Sequence, residues 1–175
     1  MKKSVILDVD TGIDDALAIA LGTYTKNLNI KLITTIAGNL SVTEVTKNTL
    51  NFLQAIEKRR IPVATGAPGP MESEKDNSIQ AHGKKGLGKY KFPKLELKPT
   101  KLPAVEKMHE VISNAKEKII IGALGPLTNI AQLLLKYPED MEKIEYIVIS
   151  GGLLHDSKKN PYLSFNIKSH KNSFL

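Results

Sequence analysis

Residues 5–19 read VILDVDTGIDDALAI and bring four aspartates, Asp8, Asp10, Asp14 and Asp15, into one short stretch. The apolar run Val5-Ile6-Leu7 leads into them, Thr11 and Gly12 interrupt them, and an amphipathic pattern follows. That order reads as buried strand, tight turn and helix. Asp10 then falls at the carboxyl end of the strand. Asp14 and Asp15 fall in the first helical turn, where free N–H groups and the helix dipole favour negative charge. Neighbouring helical residues point about 100° apart, so these two can serve different partners. Capping explains a single carboxylate, not a cluster. Carboxylates this close repel one another, and a hard cation is the usual remedy.

Two chemistries can be weighed on the stretch itself. An EF-hand loop counted from Asp8 needs Gly at its sixth position and a bidentate Glu at its twelfth; Ile13 and Ile19 stand there. A phosphatase built on an Asp-x-Asp pair would use Asp8 as nucleophile and Asp10 as acid/base, but leaves Asp14 and Asp15 without a task.

The rest of the chain alternates strand and helix patterns. Ile30 to Ala37 is apolar and β-branched and ends at Gly38-Asn39. Ser41 and Glu44 form a Ser-x-x-Glu capping box, and Val45, Leu50, Leu53 and Ile56 continue it as an apolar helical stripe closed by Arg59-Arg60. Ile61 to Ala64 is a short strand. Residues 66–100 are rich in Gly, Pro and Lys, lack periodicity and read as a long mobile loop. A helix over Ala104 to Lys116, a strand over Ile119 to Ile121, a helix over Leu127 to Tyr137 and a strand over Ile144 to Ser150 follow. The expected fold is a single α/β domain over residues 1–175, an open, mostly parallel sheet with helices on both faces. Ligands of such sheets bind beyond the carboxyl ends of the strands. Asp10, Asn39, Leu124 and Gly151-Gly152 all follow expected strands.

Composition narrows the function classes. The 175 residues contain no cysteine, which excludes a disulfide framework and a thiolate metal site. Formal net charge is +7, but aromatic content is 5% and the lysines are spread out, so a solvated surface is expected rather than a nucleic-acid interface. No apolar stretch is long enough to span a membrane, and Asp8 interrupts the first apolar run too early for a signal peptide. A cytoplasmic protein is the expectation.

DVDTGIDDALAI resembles the amino-terminal signature of the inosine–uridine nucleoside hydrolases. Gly38-Asn39, HGKKGLG from His82, GALGPLTNIA from Gly122 and SGG from Ser150 agree with it. The resemblance implies calcium-dependent hydrolysis of the N-glycosidic bond of ribonucleosides. It implies a nucleoside hydrolase-like, Rossmann-like core and assigns calcium to Asp10, Asp15 and the backbone carbonyl of Leu124. Asp10 would also be the catalytic base, Asp14 and Asn166 would hold ribose, Asn39 would help hold the sugar, and His82 would line the pocket. Asp8 would orient its neighbours. From the residues alone, Asn39 reads as a turn residue, His82 as a surface histidine, His155-Asp156 as loop residues, and Thr128-Asn129 as a helix start supporting the turn at Leu124.

The chain departs from the family pattern at Leu163-Ser164-Phe165-Asn166, where the family usually has Ala-Glu-Phe-Asn, and in the residues that follow. Family members also continue beyond position 175 to a later His-Asp pair. A truncated member is therefore expected, with two outcomes: an enzyme of weak activity, or a remnant that binds calcium or a ribonucleoside without turnover. Uncovered apolar surface at the sheet edge would favour association into a homo-oligomer.

Overall fold

The computed structural model describes residues 2–69, 83, 85–88, 90–151 and 166. In order, the elements are β1 (Lys3–Val9), α1 (Ile13–Tyr24), β2 (Leu28–Thr35), α2 (Val42–Ala55), β3 (Val63–Thr65), α3 (Ala104–Ser113), β4 (Ile119–Ala123), α4 (Thr128–Lys136), a 3₁₀ segment (Pro138–Lys143) and β5 (Ile144–Ile149). The five strands pair in the order β3-β2-β1-β4-β5, and every pairing is parallel.

Alternation along β1 divides the core into two layers. Val5, Leu7 and Val9 face Ile19 of α1 and Leu50 and Leu53 of α2. Ile6 faces the opposite way, among Val105, Met108 and Ile112 of α3 and Ile130 and Leu133 of α4. One residue of offset thus selects the face, and both faces are covered by crossover helices, as a parallel sheet requires. The chain runs outward from β1 to β2 and β3, then returns to the other side of β1 for β4 and β5. The reversal puts a topological switch point between the carboxyl ends of β1 and β4.

Local signals mostly behave as their chemistry dictates. Ser41 caps α2, its Oγ accepting from the Glu44 N–H at 3.4 Å, and Val45, Leu50 and Leu53 are buried as expected. Helix α2, however, ends at Ala55 and has no basic residue in its last turn. Arg59 instead pairs with Glu96 at 2.7 Å. The end is set by Glu57, which adopts φ +59°. Its N–H reaches the Gln54 carbonyl and the Lys58 N–H reaches that of Leu53, the double bond of a Schellman turn. Helix α3 stops at Ser113, three residues short of the expected Lys116, with Asn114 as its cap.

Within residues 66–100, the part from Lys94 onward is tied down. Gln54 donates to the Lys94 carbonyl and accepts from the Glu96 N–H, and Thr100 donates to the Val63 carbonyl. Leu95 and Leu97 pack on the α1/α2 core. Among the described residues, no helix is long and apolar enough to cross a membrane.

Candidate active site at the carboxyl rim

The turn after β1 carries Asp10 to Gly12 directly over the switch point. Asp10 and Asp15 are each only 3% exposed, and their carboxyl groups face one another. Burial pushes both carboxyls up, Asp15 well above the usual carboxylate range, and the exposed Asp14 adds repulsion to each. Asp14 and Asp15 therefore separate as helical geometry demands, one facing solvent and the other facing Asp10. Asp15 also accepts from the Gly12 N–H at 3.3 Å, which satisfies one of the free donors at the start of α1.

Asn39 holds Asp10 in place. Its backbone N–H donates to Asp10 Oδ2 at 2.8 Å and its side-chain amide to the Asp10 carbonyl at 3.4 Å. The residue before it must be glycine, because a Cβ at Gly38 would lie 2.2 Å from Asp10 Oδ2. Gly125 makes a similar approach from the β4 side, where an added Cβ would come within 3.0 Å of the Asp10 N and 2.7 Å of Ile36 Cγ2. The N–H groups of Leu124 and Gly125 both donate to the Asp8 carbonyl, at 2.8 and 3.3 Å, so the β4 turn is locked to β1. Asn166 donates its side-chain amide to the carbonyls of Leu124 at 2.6 Å and Ser150 at 2.9 Å.

Beneath the rim lies a buried polar layer. Asp8 is fully buried; its Oδ1 accepts from Thr34 Oγ1 at 2.6 Å and Asn129 Nδ2 at 2.8 Å, while Oδ2 has no partner. Burial pushes its carboxyl up to about 6 against the two hydrogen bonds that favour the charge. A nucleophile so enclosed reaches no substrate, which removes the basis for the Asp-x-Asp phosphatase. Asn129 does more than begin α4. It also donates to the Thr35 carbonyl at 3.0 Å and accepts from the Ala67 N–H at 2.9 Å, joining the ends of β1, β2 and β3. Two hydroxyl pairs, Thr11 with Thr49 and Thr35 with Thr46, each 2.7 Å, fasten the rim to α2.

The expected residues Asp10, Asp14, Asp15, Asn39, Leu124 and Asn166 thus belong to adjoining rim segments. His82, His155, Asp156 and Ser164 lie outside the described residues. The sequence reading named Gly38 and Gly125 only as motif positions and missed their close approach to Asp10 and the full reach of Asn129; Gly-Asn and Thr-Asn directly after expected strands were the available signals. The donors at the rim, two carboxylates and a carbonyl, are all oxygen, which suits a hard cation such as calcium. No lysine or arginine offsets the Asp10–Asp15 pair among the described residues. A second cluster, His109, Glu139 and Asp140, sits on α3 and the 3₁₀ segment rather than at the rim. There His109 Nδ1 contacts both Asp140 oxygens at 3.1 Å and the ring stacks on Tyr137, a tie between elements.

The chain is similar in sequence and fold to known proteins. A non-specific ribonucleoside hydrolase RihC of Klebsiella pneumoniae is 38% identical over 167 residues, which cover 95% of this chain and 55% of that protein. The Salmonella paratyphi A counterpart is 40% identical, over 93% of this chain and 53% of that protein. A plant nucleoside hydrolase superposes with TM-score 0.90 at 32% identity, covering 99% of this chain and 56% of the other. A purine-preferring ribonucleoside hydrolase from Gardnerella vaginalis gives 0.88 at 28% identity, over 98% and 56%. The chain spans about 55% of the length of the curated relatives it matches. The family described as inosine-uridine preferring nucleoside hydrolase matches residues 5–169, and the chain belongs to that family.

Proposed function

We propose that the rim serves calcium-dependent hydrolysis of the N-glycosidic bond of ribonucleosides, giving ribose and a free base. The observation that carries this reading is the buried Asp10–Asp15 carboxyl pair beside the Leu124 turn. Family membership and the names of the relatives support the substrate class.

Asp10, Asp15 and the Leu124 carbonyl would hold calcium, with water completing the six to eight oxygens the ion takes. When bound, calcium lowers the pKa of a water and supplies positive charge at the rim. Asp10 is the group that takes the proton, and Asn39 fixes the carboxylate oxygen that must stay in place while it does so. Asp14, solvent-facing beside the pair, holds ribose hydroxyls, helped by Asn39. Negative charge around the sugar favours the oxocarbenium-like transition state of glycosidic cleavage. Asn166, near the Leu124 and Ser150 carbonyls, is assigned to ribose and His82 to the pocket lining. Of the expected loop over residues 66–100, residues 70–82, 84 and 89 lie outside the described residues; limited proteolysis tests the expectation, and a first cut within α3 would count against it.

The outward side chains Ile13, Leu17 and Leu21 of α1, 53, 60 and 63% exposed, offer apolar surface for a homo-oligomer, which light scattering would detect. We assign the chain to the cytoplasm. The deciding experiment titrates calcium by calorimetry, then incubates the loaded protein with inosine or uridine and measures free base. Base released by the native chain and lost in Asp10→Ala supports hydrolysis. Calcium heat without base release favours the second reading, binding without turnover. No calcium heat overturns the metal assignment.

A further inference from the structure

A groove of about 580 Å³ runs between the outer face of α2 and a strap formed by residues 85–88 and 90–95. That size accommodates a small organic ligand. Four lysines line it, Lys47 from the helix and Lys85, Lys91 and Lys94 from the strap, against one carboxylate, Glu44. Glu44 is already engaged by Ser41 Oγ at 3.0 Å. None of the four lysines forms an ion pair with another described residue. Within the strap, basic and aromatic residues interleave as Tyr90-Lys91-Phe92-Pro93-Lys94. The Tyr90 and Phe92 rings meet edge-on, 4.7 Å between centroids at 70°, and Tyr90 is 65% exposed. An open ring face beside unpaired cations recognises a flat aromatic anion.

The strap's position links the groove to the rim. Asn48 donates to the Lys85 carbonyl at 2.8 Å. At Gly86, φ +76°, a Cβ would press on Leu40 and on Asn48 and lie 3.5 Å from the Thr11 carbonyl. The groove therefore begins beside Leu40, the neighbour of Asn39, and beside the turn that carries the aspartates. An anionic group is repelled by Asp10, Asp14 and Asp15 and attracted by the lysines, so the two sites sort ligands by charge.

We propose that this groove binds a nucleoside monophosphate, its phosphate against Lys47, Lys85, Lys91 and Lys94 and its base on the Tyr90–Phe92 pair, separately from the aspartate rim. The site needs neither calcium nor turnover, so it stands or falls independently of the hydrolase reading.

The test is calorimetry of the full chain with adenosine monophosphate in metal-chelating buffer. Saturable binding is expected, weakened about tenfold or more by Lys91→Glu combined with Lys94→Glu. It should also weaken in Tyr90→Ala and as salt rises from about 50 to about 300 mM. Circular dichroism verifies that these surface variants remain folded. The proposal is overturned by absent binding, by adenosine binding equally well, or by insensitivity to the double charge reversal. An oligoribonucleotide that binds the strap more tightly than the monophosphate overturns it in favour of RNA.

Discussion

Asn129 donates its side-chain amide to the buried carboxylate of Asp8 at 2.8 Å, across 121 positions of sequence. The same amide group closes on Thr35 and Ala67, so one side chain satisfies polar groups from three strand ends. Asn129→Leu keeps the branched shape but removes the partner of the Thr35 carbonyl and of the Ala67 N–H and one of the two donors to Asp8. Each unsatisfied group costs about 1–3 kcal/mol, and the variant should lose about 3 kcal/mol or more in urea denaturation. A loss under 1 kcal/mol would mean that water replaces the amide.

The second expectation concerns Gly38. Its missing Cβ leaves room for the Asp10 carboxylate, and Gly38→Ala must displace that group, since 2.2 Å is far inside contact distance. Disturbing the partner that orients a metal ligand typically costs 10–100-fold in affinity, so calcium binding should weaken by about that factor in calorimetry. Unchanged affinity would show that Asp10 is not a ligand.

Helix α2 offers a stabilising change. Glu57 occupies the left-handed position that ends the helix, where an L side chain costs about 1–2 kcal/mol and glycine costs nothing sterically. Part of that gain returns as glycine's greater freedom in the unfolded chain. Glu57→Gly should raise stability by about 0.5–1 kcal/mol, seen as a higher urea midpoint at unchanged slope, while Glu57→Ala should gain nothing.

Asp10, Asp14 and Asp15 were legible because one contiguous stretch encodes strand, turn and helix, and the period of each fixes where the carboxylates point. The parallel sheet was legible for the same reason: Val5, Leu7 and Val9 alternate with Ile6 on opposite faces. Residues whose partners are distant in sequence were not. Nothing local to Asn129 announces Asp8, and nothing local to Thr49 announces Thr11. Glu57 was missed because left-handed helix ends ordinarily carry glycine. Arg59 was misplaced because its partner, Glu96, lies in a segment without periodicity.

The last expectation is a pH dependence of the metal-free protein. Burial raises the carboxyls of Asp8, Asp10 and Asp15 above their unfolded values near 3.8, Asp8 to about 6. The folded chain therefore binds more protons than the unfolded chain between those limits. For groups raised in this way, their stability contribution is complete below the unfolded pKa and is lost as pH rises through the folded one. For Asp8 alone the displacement corresponds to about 3 kcal/mol. Glu106, held low mainly by its hydrogen bond to Lys136, runs in the opposite sense but is half-buried at the surface and screened. In metal-chelating buffer, unfolding free energy should fall from about pH 4.5 to about pH 7. Asp8→Asn mimics the protonated carboxyl and should flatten part of that slope; the remainder belongs to the Asp10–Asp15 pair. A metal-free protein that gains stability over the same range would show that the three carboxyls are ionised and solvated at the rim, not buried there.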